Sequence, residues 1–375
     1  MRAIFLIFFL LFGAFAQTEA KTEAKTGAKL ENISKQPQVI AQKAAQAQKA
    51  AVAKAAAAKE AAAKEAQKAA QLLERLKNPP NPEQDIDNLD LAAVSLTRLL
   101  GQMLMISFKG HNANEAEVKE ASQLASLGKI GAVLFLEQNV KDKAQFKALV
   151  GRFMGIAVSN PLFLGISQSE DSPLNHEKGF LAYPKAQAVA KGNLRDAFNT
   201  YLELATTLKE LGLNLNLAPK TSWHKNASKC SIYAQEFAAA MHKKQLVLIA
   251  NDLCSQAAMN DLLDTEALNG VQLDKLAQSS TAALKLRKER EFSGLVFSED
   301  LLYAAPNLEP SERAVAAIEA GADVLYFSSP GSLNIFDTVL SAVEEAISSG
   351  RIDRSRIEGS YKRVLKAKIA LKRSS

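Results

Sequence analysis

The amino-acid sequence predicts a (β/α)8 barrel, preceded by a long helical arm that is rich in alanine and lysine. Three observations predict this fold: from residue 91 onward short apolar segments alternate with amphipathic patterns, eight such segments occur, and no glycine-rich turn follows the first. Apolar segments that alternate with helices are typical of parallel strands buried on both faces. Eight of them within residues 91–375 favour a barrel over the alternative, a doubly wound open sheet.

Each predicted strand is five or six residues long, and the sixth has the weakest apolar pattern. In chain order the strands are Met103–Phe108, Ala132–Leu136, Leu162–Ser167, Leu213–Ala218, Leu246–Ala250, Leu268–Leu273, Gly294–Ser298 and Asp323–Ser328. The clearest helical patterns between them cover 194–211, 230–244 and 311–321.

The first sixteen residues have the pattern of a signal peptide. Arg2 supplies a positive charge, Ile4–Phe12 is an unbroken apolar run, and Ala14–Ala16 has the small-x-small pattern of a cleavage site. The run is short for a transmembrane helix, so cleavage is favoured over an uncleaved N-terminal anchor. The sequence therefore predicts an exported, periplasmic protein.

Between this segment and the barrel domain (91–375), the sequence divides into a low-complexity linker (17–38), a helix (39–77) and a proline-rich linker (78–90). Ala, Lys, Gln and Glu dominate the predicted helix, and these residues favour helix strongly. The predicted helix has no heptad repeat of Leu or Ile that could pack against a partner helix. It is therefore expected to be a single solvated helix about 60 Å long. Eight Lys or Arg residues against three Glu residues make 38–77 basic. It could space the domain from a tether, bind an acidic partner, or simply be a soluble linker.

Composition excludes several classes of function. The two cysteines cannot form a disulfide-dense scaffold or a four-thiolate metal site, and the four histidines lack metal-ligand spacing. There is no glycine-rich phosphate loop and no basic run with interleaved aromatic residues. We therefore expect no metal, no cofactor, no nucleotide and no nucleic acid.

Five segments in chain order resemble glycoside hydrolase family 3, and most closely its bacterial β-N-acetylhexosaminidases that trim cell-wall fragments. They are Gly101–Gly110, Ile130–Val140, Leu211–Pro219, Phe292–Leu301 and Ala320–Leu325, and a closing helix follows from Arg351 to Lys368. The resemblance implies a barrel that acts on, or binds, N-acetylglucosamine-containing glycans such as peptidoglycan. It also implies a retaining mechanism with an Asp nucleophile and a separate acid/base.

The catalytic motifs of that family are altered in this chain. The nucleophile position corresponds to Glu299, with Asp300 at the next acidic position, and Ser167 replaces the sugar-binding Asp. Asn251 and Asp252 occupy the place of the family's Lys-His motif. Where the family has a mobile loop with an Asp-x-His pair, 260–264 provides Asp without His. Because a longer nucleophile and a missing acid/base each reduce the rate severely, these changes favour an inactive protein.

Few other residues could replace the missing acid/base. His224 is the best substitute, because Trp223 beside it could stack on a sugar ring. His111 and His176 are also expected in loops after strands, where polar residues are usually just solvated. His242 is expected in a helix.

Two cysteines are expected to lie near each other. Cys230 should begin the helix after the fourth strand, and Cys254 should follow the fifth strand, both at the same face of the barrel. An oxidising compartment would permit a disulfide between them, and two separate buried thiols are the alternative.

Three functions remain open at this point. A catalytically degenerate barrel could bind carbohydrate or peptidoglycan, or serve as a scaffold in an envelope protein complex. Alternatively, an active retaining β-N-acetylhexosaminidase could act on cell-wall fragments. In the third case, the helical arm carries the function as a spacer, and the barrel is a folded domain attached to it. Because several catalytic positions are altered together, the first function is favoured.

Overall fold

The domain is a closed barrel in which eight parallel strands follow one another in chain order, β1 to β8, and β8 pairs with β1. The computed structural model describes residues 86–156, 162–169, 173–218, 227–250, 256–265, 267–273, 282–328 and 335–373. The predicted (β/α)8 architecture is confirmed. The predicted arm (39–77) and signal peptide (1–16) lie outside the described residues and stay predictions.

All eight predicted strands are present, including the weak sixth; β7 is one residue longer than its apolar pattern, and the other seven are shorter than theirs. They are β1 (Leu104–Ile106), β2 (Ala132–Phe135), β3 (Phe163–Ile166), β4 (Leu215–Asn216), β5 (Val247–Ala250), β6 (Gly270–Gln272), β7 (Leu295–Asp300) and β8 (Val324–Phe327). Several of the residues that flank the shorter strands are apolar but lie outside the paired segments.

The helices surround the barrel and alternate with its strands. They are α1 (Leu96–Met103), α2 (Ala116–Ser126), α3 (Lys143–Met154), α4 (Ala186–Val189), α5 (Leu194–Glu210), α6 (Ala227–Lys243), α7 (Gln256–Asp264), α8 (Ala282–Arg290), α9 (Pro310–Ala320), α10 (Ile335–Ser348) and α11 (Arg354–Arg373). Two short 3₁₀ helices, Glu137–Asn139 and His176–Lys178, lie in the loops after β2 and β3.

Local sequence fixes where several helices begin and end. The side chains of Ser95, Asp142 and Asn193 each accept a hydrogen bond from the backbone N–H three residues later, at the starts of α1, α3 and α5. Helix α9 begins at Pro310, which needs no hydrogen-bonded N–H there, and ends before Gly321, whose φ of 107° few other residues tolerate.

The interior of the barrel is a packed apolar core separate from the layer between strands and helices. Its buried members are Met105, Ala132, Leu134, Phe163, Leu215, Leu217, Val247, Ile249, Leu295, Phe297, Val324, Tyr326 and Val364. The last of these belongs to α11, and Ala367 and Leu371 of the same helix pack against the cluster. Helix α11 therefore closes the barrel at the N-terminal ends of its strands, and the opposite end holds the loops.

A close approach between α1 and the start of β2 requires glycine at position 131. A Cβ atom built there would lie 2.7 Å from Cα of Gln102, on a backbone that cannot move aside cheaply. We expect Gly131→Ala to lower the free energy of unfolding by about 2–3 kcal/mol, as overpacking of a tight core does. Urea denaturation of the purified protein would measure this.

Gly151→Ala is the matched control for that substitution. Gly151 lies inside α3 with no atom within 4 Å of a built Cβ. Because alanine favours helix over glycine, this variant should gain up to about 1 kcal/mol. Equal stability of the two variants would contradict the close approach.

Candidate functional site

The candidate site is the mouth of the barrel at the C-terminal ends of the strands, where barrel enzymes keep their chemistry. Its described polar residues come from β1, β3, β6, β7 and β8 or directly after them. They are Ser107, Ser167, Gln272, Glu299, Asp300, Tyr303, Tyr326 and Ser328. Sequence reasoning identified only Ser167, Glu299 and Asp300 among them.

Ser167 follows β3 and is half-buried, and its hydroxyl donates to the Leu217 carbonyl oxygen at 2.8 Å. Thus it links the ends of β3 and β4. A serine has no negative charge to hold a sugar hydroxyl, and this one already donates its proton to the backbone. The position that the family resemblance assigns to sugar binding thus has a fold-stabilising contact here.

Gln168 and Asn216 fix the turn after β3. The side chain of Asn216 bonds to both backbone groups of Gln168, at 2.9 Å each. The Gln168 side chain in turn accepts from the Leu174 N–H at 2.8 Å and lies 3.3 Å from the Leu174 carbonyl. Both side chains are fully buried, so this turn is held by amides where the family has a glycine turn.

A hydroxyl pair connects β1 and β8 across the mouth. Ser107 Oγ lies 3.2 Å from the phenolic oxygen of Tyr326 and also contacts the Ser328 carbonyl oxygen. Burial raises the pKa of Tyr326 to about 12, against the effect of the Ser107 hydrogen bond, and the Asp300 carboxylate raises it further. Tyr326 is therefore a neutral phenol at physiological pH and can act there as a hydrogen-bonding group rather than as a base.

Glu299 and Asp300 lie at an irregular end of β7. Phe297 pairs with Val324 and Asp300 with Tyr326, so β7 carries one more residue than β8 between these pairs. Such a bulge redirects side chains and is common beside active sites. The half-buried Glu299 lies within it. Glu299, to which the family resemblance assigns the nucleophile position, therefore lies at the mouth of the barrel.

Asp300 has a structural role. Its Oδ1 accepts hydrogen bonds from the Leu302 and Ser328 N–H groups, both at 3.1 Å, and so ties the turn after β7 to the end of β8. The next helix, α9, begins only at Pro310, so Asp300 holds a turn and does not cap that helix.

Two further residues extend the mouth. Gln272 of β6 donates to the Ser298 carbonyl oxygen at 3.0 Å. Tyr303, three residues after Asp300, is 76% exposed, which makes it the most exposed large hydrophobic residue among the described ones. An exposed ring beside a polar mouth can stack on a sugar face. No motif indicated these residues, because Gln272 ends the strand with the weakest apolar pattern and Tyr303 lies in a turn.

Several predicted site residues lie outside the described residues: Trp223, His224, Asn251, Asp252 and Cys254. Their proposed roles, and a Cys230–Cys254 disulfide, stay predictions. Cys230 itself is buried in the first turn of α6.

The remaining histidines are placed as expected. His111 and His176 are exposed in the segments after β1 and β3, and His242 lies in α6 with Nε2 3.0 Å from Asn269 Oδ1.

Residues 260–264, which stand where the family has its mobile catalytic loop, belong to α7. Asp264 at the end of this helix pairs with Arg290 of α8 at 2.7 Å. In a parallel barrel the helices run back from the mouth, so their C-terminal ends lie at the opposite face. The acidic residues of this segment are therefore in a helix that leads away from the mouth.

Within the described ranges, no group of three or more His, Cys, Asp or Glu side chains could hold a metal ion. None of the helices there is long and apolar enough to cross a bilayer.

The fold and the site define a (β/α)8 barrel with two acidic residues, Glu299 and Asp300, at the C-terminal end of one strand, an arrangement found in many barrel enzymes. Residues 247–367 match the family model described as the glycosyl hydrolase family 3 N terminal domain. This match confirms the resemblance to the family that the sequence motifs indicated, over about a third of the chain.

Solved structures agree on the fold. The family 3 β-N-acetylglucosaminidase from Paenibacillus sp. strain FPU-7 is 21% identical, with a TM-score of 0.65 over 76% of this chain and 64% of that one. A family 3 member from Mycobacterium smegmatis is 16% identical, with a TM-score of 0.61 over 75% of this chain and 99% of that one. The β-N-acetylhexosaminidase from Beutenbergia cavernae is 18% identical, with a TM-score of 0.60 over 74% of this chain and 99% of that one.

This chain thus spans just under two thirds of the Paenibacillus protein. None of the curated protein sequences matches it.

Proposed function

We propose that this protein is a family 3-type barrel that binds N-acetylglucosamine-containing glycans, such as peptidoglycan fragments, at its mouth and does not hydrolyse them. One observation carries the proposal: described polar groups at the mouth are engaged in holding loops together. Ser167 donates to the Leu217 carbonyl, Gln272 donates to the Ser298 carbonyl, and Asp300 accepts from two backbone N–H groups. Glycosidase chemistry instead needs a proton donor and a nucleophile that can act together.

The mouth retains features that suit sugar recognition. Carboxylate oxygens of Glu299 and Asp300 can accept hydrogen bonds from sugar hydroxyls, and the exposed ring of Tyr303 offers an apolar face. The relatives named above include β-N-acetylglucosaminidases, which supports N-acetylglucosamine as the sugar.

An active retaining glycosidase is the second candidate, and the bulge in β7 favours it. Glu299 lies at the family's nucleophile position, in a strand irregularity of the kind that aims catalytic side chains. A carboxylate displaced by one methylene can still attack a sugar, although misplacement by about 1 Å can cost roughly 10²-fold in rate.

A chromogenic N-acetyl-β-glucosaminide separates the two candidates. We expect the full chain to release chromophore no faster than buffer, while an active family homologue under the same conditions releases it readily. Glu299→Gln, which keeps the shape of the side chain, should then be indistinguishable from the unaltered protein. Chromophore release that Glu299→Gln abolishes and the exposed control Glu289→Gln preserves would contradict our proposal and establish the enzyme.

Calorimetric titration with N-acetylglucosamine oligosaccharides tests binding in the same preparations. We expect saturable binding that Tyr303→Ala weakens about tenfold, because a stacked aromatic ring contributes about 1–1.5 kcal/mol. Leu127→Ala, at the end of α2, removes an equally exposed apolar side chain elsewhere and should change nothing. Absence of binding would leave the mouth without a glycan and refute the proposal.

We further propose a periplasmic location, based on the signal-peptide pattern of residues 1–16. The basic arm would then hold the barrel away from a tether, or contact an acidic component of an envelope complex.

A further inference from the structure

A basic cleft of about 640 Å³ lies at the face of the domain opposite the mouth. Its walls come from the residues that precede β6 and β7, the end of α8, and one side of α11. The residues that matter for its chemistry are Asp87, Arg287, Phe292, Lys362, Arg363 and Lys366.

Two arginines that line this cleft, Arg287 and Arg363, share the fully buried carboxylate of Asp323 with a third, Arg356. Arg287 Nη2 lies 2.5 Å from Oδ2, Arg363 Nη2 2.9 Å from Oδ1, and Arg356 Nη1 3.6 Å from Oδ1. One negative charge therefore faces three positive ones. Burial lowers the pKa of Arg287 and of Arg356, and the positive charge of Arg363 lowers both further.

Arg287 also has an incomplete set of hydrogen bonds. Its Nη1 donates to the Phe292 and Gly294 carbonyls at 2.9 and 3.2 Å. Its Nε is buried and has no hydrogen-bond partner among the described residues. A buried guanidinium N–H without an acceptor is costly, so the groups around Arg287 do not fully compensate its charge.

Two lysines on α11 add further positive charge at the cleft. Lys366 Nζ pairs with Asp87 Oδ1 at 2.6 Å, and Lys362 Nζ donates to the Asp87 carbonyl oxygen at 2.9 Å. The Asp87 carboxylate thus neutralises Lys366. Lys362 contacts only the backbone of Asp87, so this carboxylate does not balance its charge. The side chains of Arg287, Arg363 and Lys366 remain 20%, 26% and 35% exposed, so a solute can reach them.

We propose that this cleft binds the phosphate group of an organic phosphate. Guanidinium groups match the geometry of phosphate oxygens, and the surplus of more than one positive charge favours a dianion over a carboxylate. The volume exceeds that of phosphate alone, and the Phe292 ring and the alanines of α11 offer apolar surface to an attached organic group. A small sugar or glycerol phosphate and a phospholipid headgroup share this chemistry.

The test uses the full chain and inorganic phosphate, titrated by calorimetry at constant ionic strength. We expect one saturable site that binds phosphate more tightly than acetate. The double variant Lys362→Gln/Lys366→Gln should weaken the affinity for phosphate at least tenfold. The control Lys285→Gln/Lys288→Gln makes the same charge change at exposed positions of α8 and should leave that affinity unchanged. Asp87→Asn removes a competing carboxylate and should tighten binding by about threefold.

Equal weakening by the two lysine pairs, or no saturable binding of phosphate, would overturn the proposal. Thermal melts of each variant guard against a loss of folding, and the opposite sign expected for Asp87→Asn cannot arise from unfolding. Two further titrations distinguish a small organic phosphate from a phospholipid headgroup as the ligand. One uses glycerol 3-phosphate, and the other compares vesicles of phosphatidylglycerol with vesicles of phosphatidylcholine. Because these measurements use no glycan, they succeed or fail independently of the function proposed for the mouth.

Discussion

Asp323→Asn is expected to lower the free energy of unfolding by about 3–5 kcal/mol. Asparagine keeps the size of the side chain but removes the one carboxylate that pairs with Arg287, Arg356 and Arg363 among the described residues. Breaking a buried ion pair by removing one partner leaves uncompensated charge in a poorly solvated place, which costs far more than the loss of a surface pair. The acceptor for Ser360 and the Val296 N–H would also be weakened.

Urea denaturation measures this effect, with Asp264→Asn as the matched control. Asp264 pairs with Arg290 at 2.7 Å but is 63% exposed, so its loss should cost less than about 1 kcal/mol. If both variants lost the same small amount, the buried cluster could not be an anchor of the fold. A Ser360→Ala variant should fall between the two, because it removes the hydrogen bond to the Asp323 carboxylate and the one accepted from Arg356 but leaves the ion pairs in place.

Replacing Lys368 by methionine is expected to change how stability depends on pH. The amine of Lys368 is fully buried, where it donates to Gln102 Oε1 and the Gly131 carbonyl at 2.8 and 2.7 Å and lies 5.0 Å from the centre of the Phe163 ring. Burial lowers its pKa to about 7, whereas a lysine in an unfolded chain has a pKa of about 10.4.

The sign follows from the proton count. Between pH 7 and about 10.4 the unfolded chain holds a proton that the folded protein has released, so the contribution of Lys368 to stability rises with pH in this window. Below pH 7 both states are charged and the penalty is constant, at roughly 4 kcal/mol from the size of the shift. Lys368→Met should therefore gain stability relative to the unaltered protein at pH 6.5 and lose that advantage by pH 10.

Stability curves in urea at several pH values would show this, and Lys285→Met, an exposed lysine of α8, should follow the unaltered protein throughout. A constant difference between Lys368→Met and the unaltered protein from pH 6.5 to 10 would mean that Lys368 stays charged in the fold.

The strands were predictable from the sequence because both faces of a barrel strand are buried, so an apolar run marks each of them. Even β6 follows this rule, although Gly270 and Gln272 interrupt its pattern. A Cβ at Gly270 would lie within 2.6 Å of Ile249, which explains the glycine by crowding rather than by a turn. Only the registers, such as the extra residue in β7, depend on neighbouring strands and could not be predicted.

The site was less predictable, because its members meet only through the closed sheet. Family motifs located Glu299 and Asp300, yet nothing in the sequence connects Ser107 with Tyr326, which is 219 residues away. Likewise, Lys366 and Lys368 lie two residues apart on a basic helix, and one is a surface residue while the other is fully buried. The local pattern does not distinguish them, since the choice depends on which side of α11 meets the barrel.

The closure of the barrel by α11 has a consequence for how the chain is made. A ribosome delivers residues 354–373 after all eight strands, so until that moment Phe163 and its neighbours face water at one end of the cylinder. Val364, Ala367 and Leu371 complete the interior only when synthesis has passed them. Folding of the barrel is therefore completed only after the whole domain has been synthesised, and a chain that stops before α11 would keep one apolar end of its barrel open and prone to aggregation.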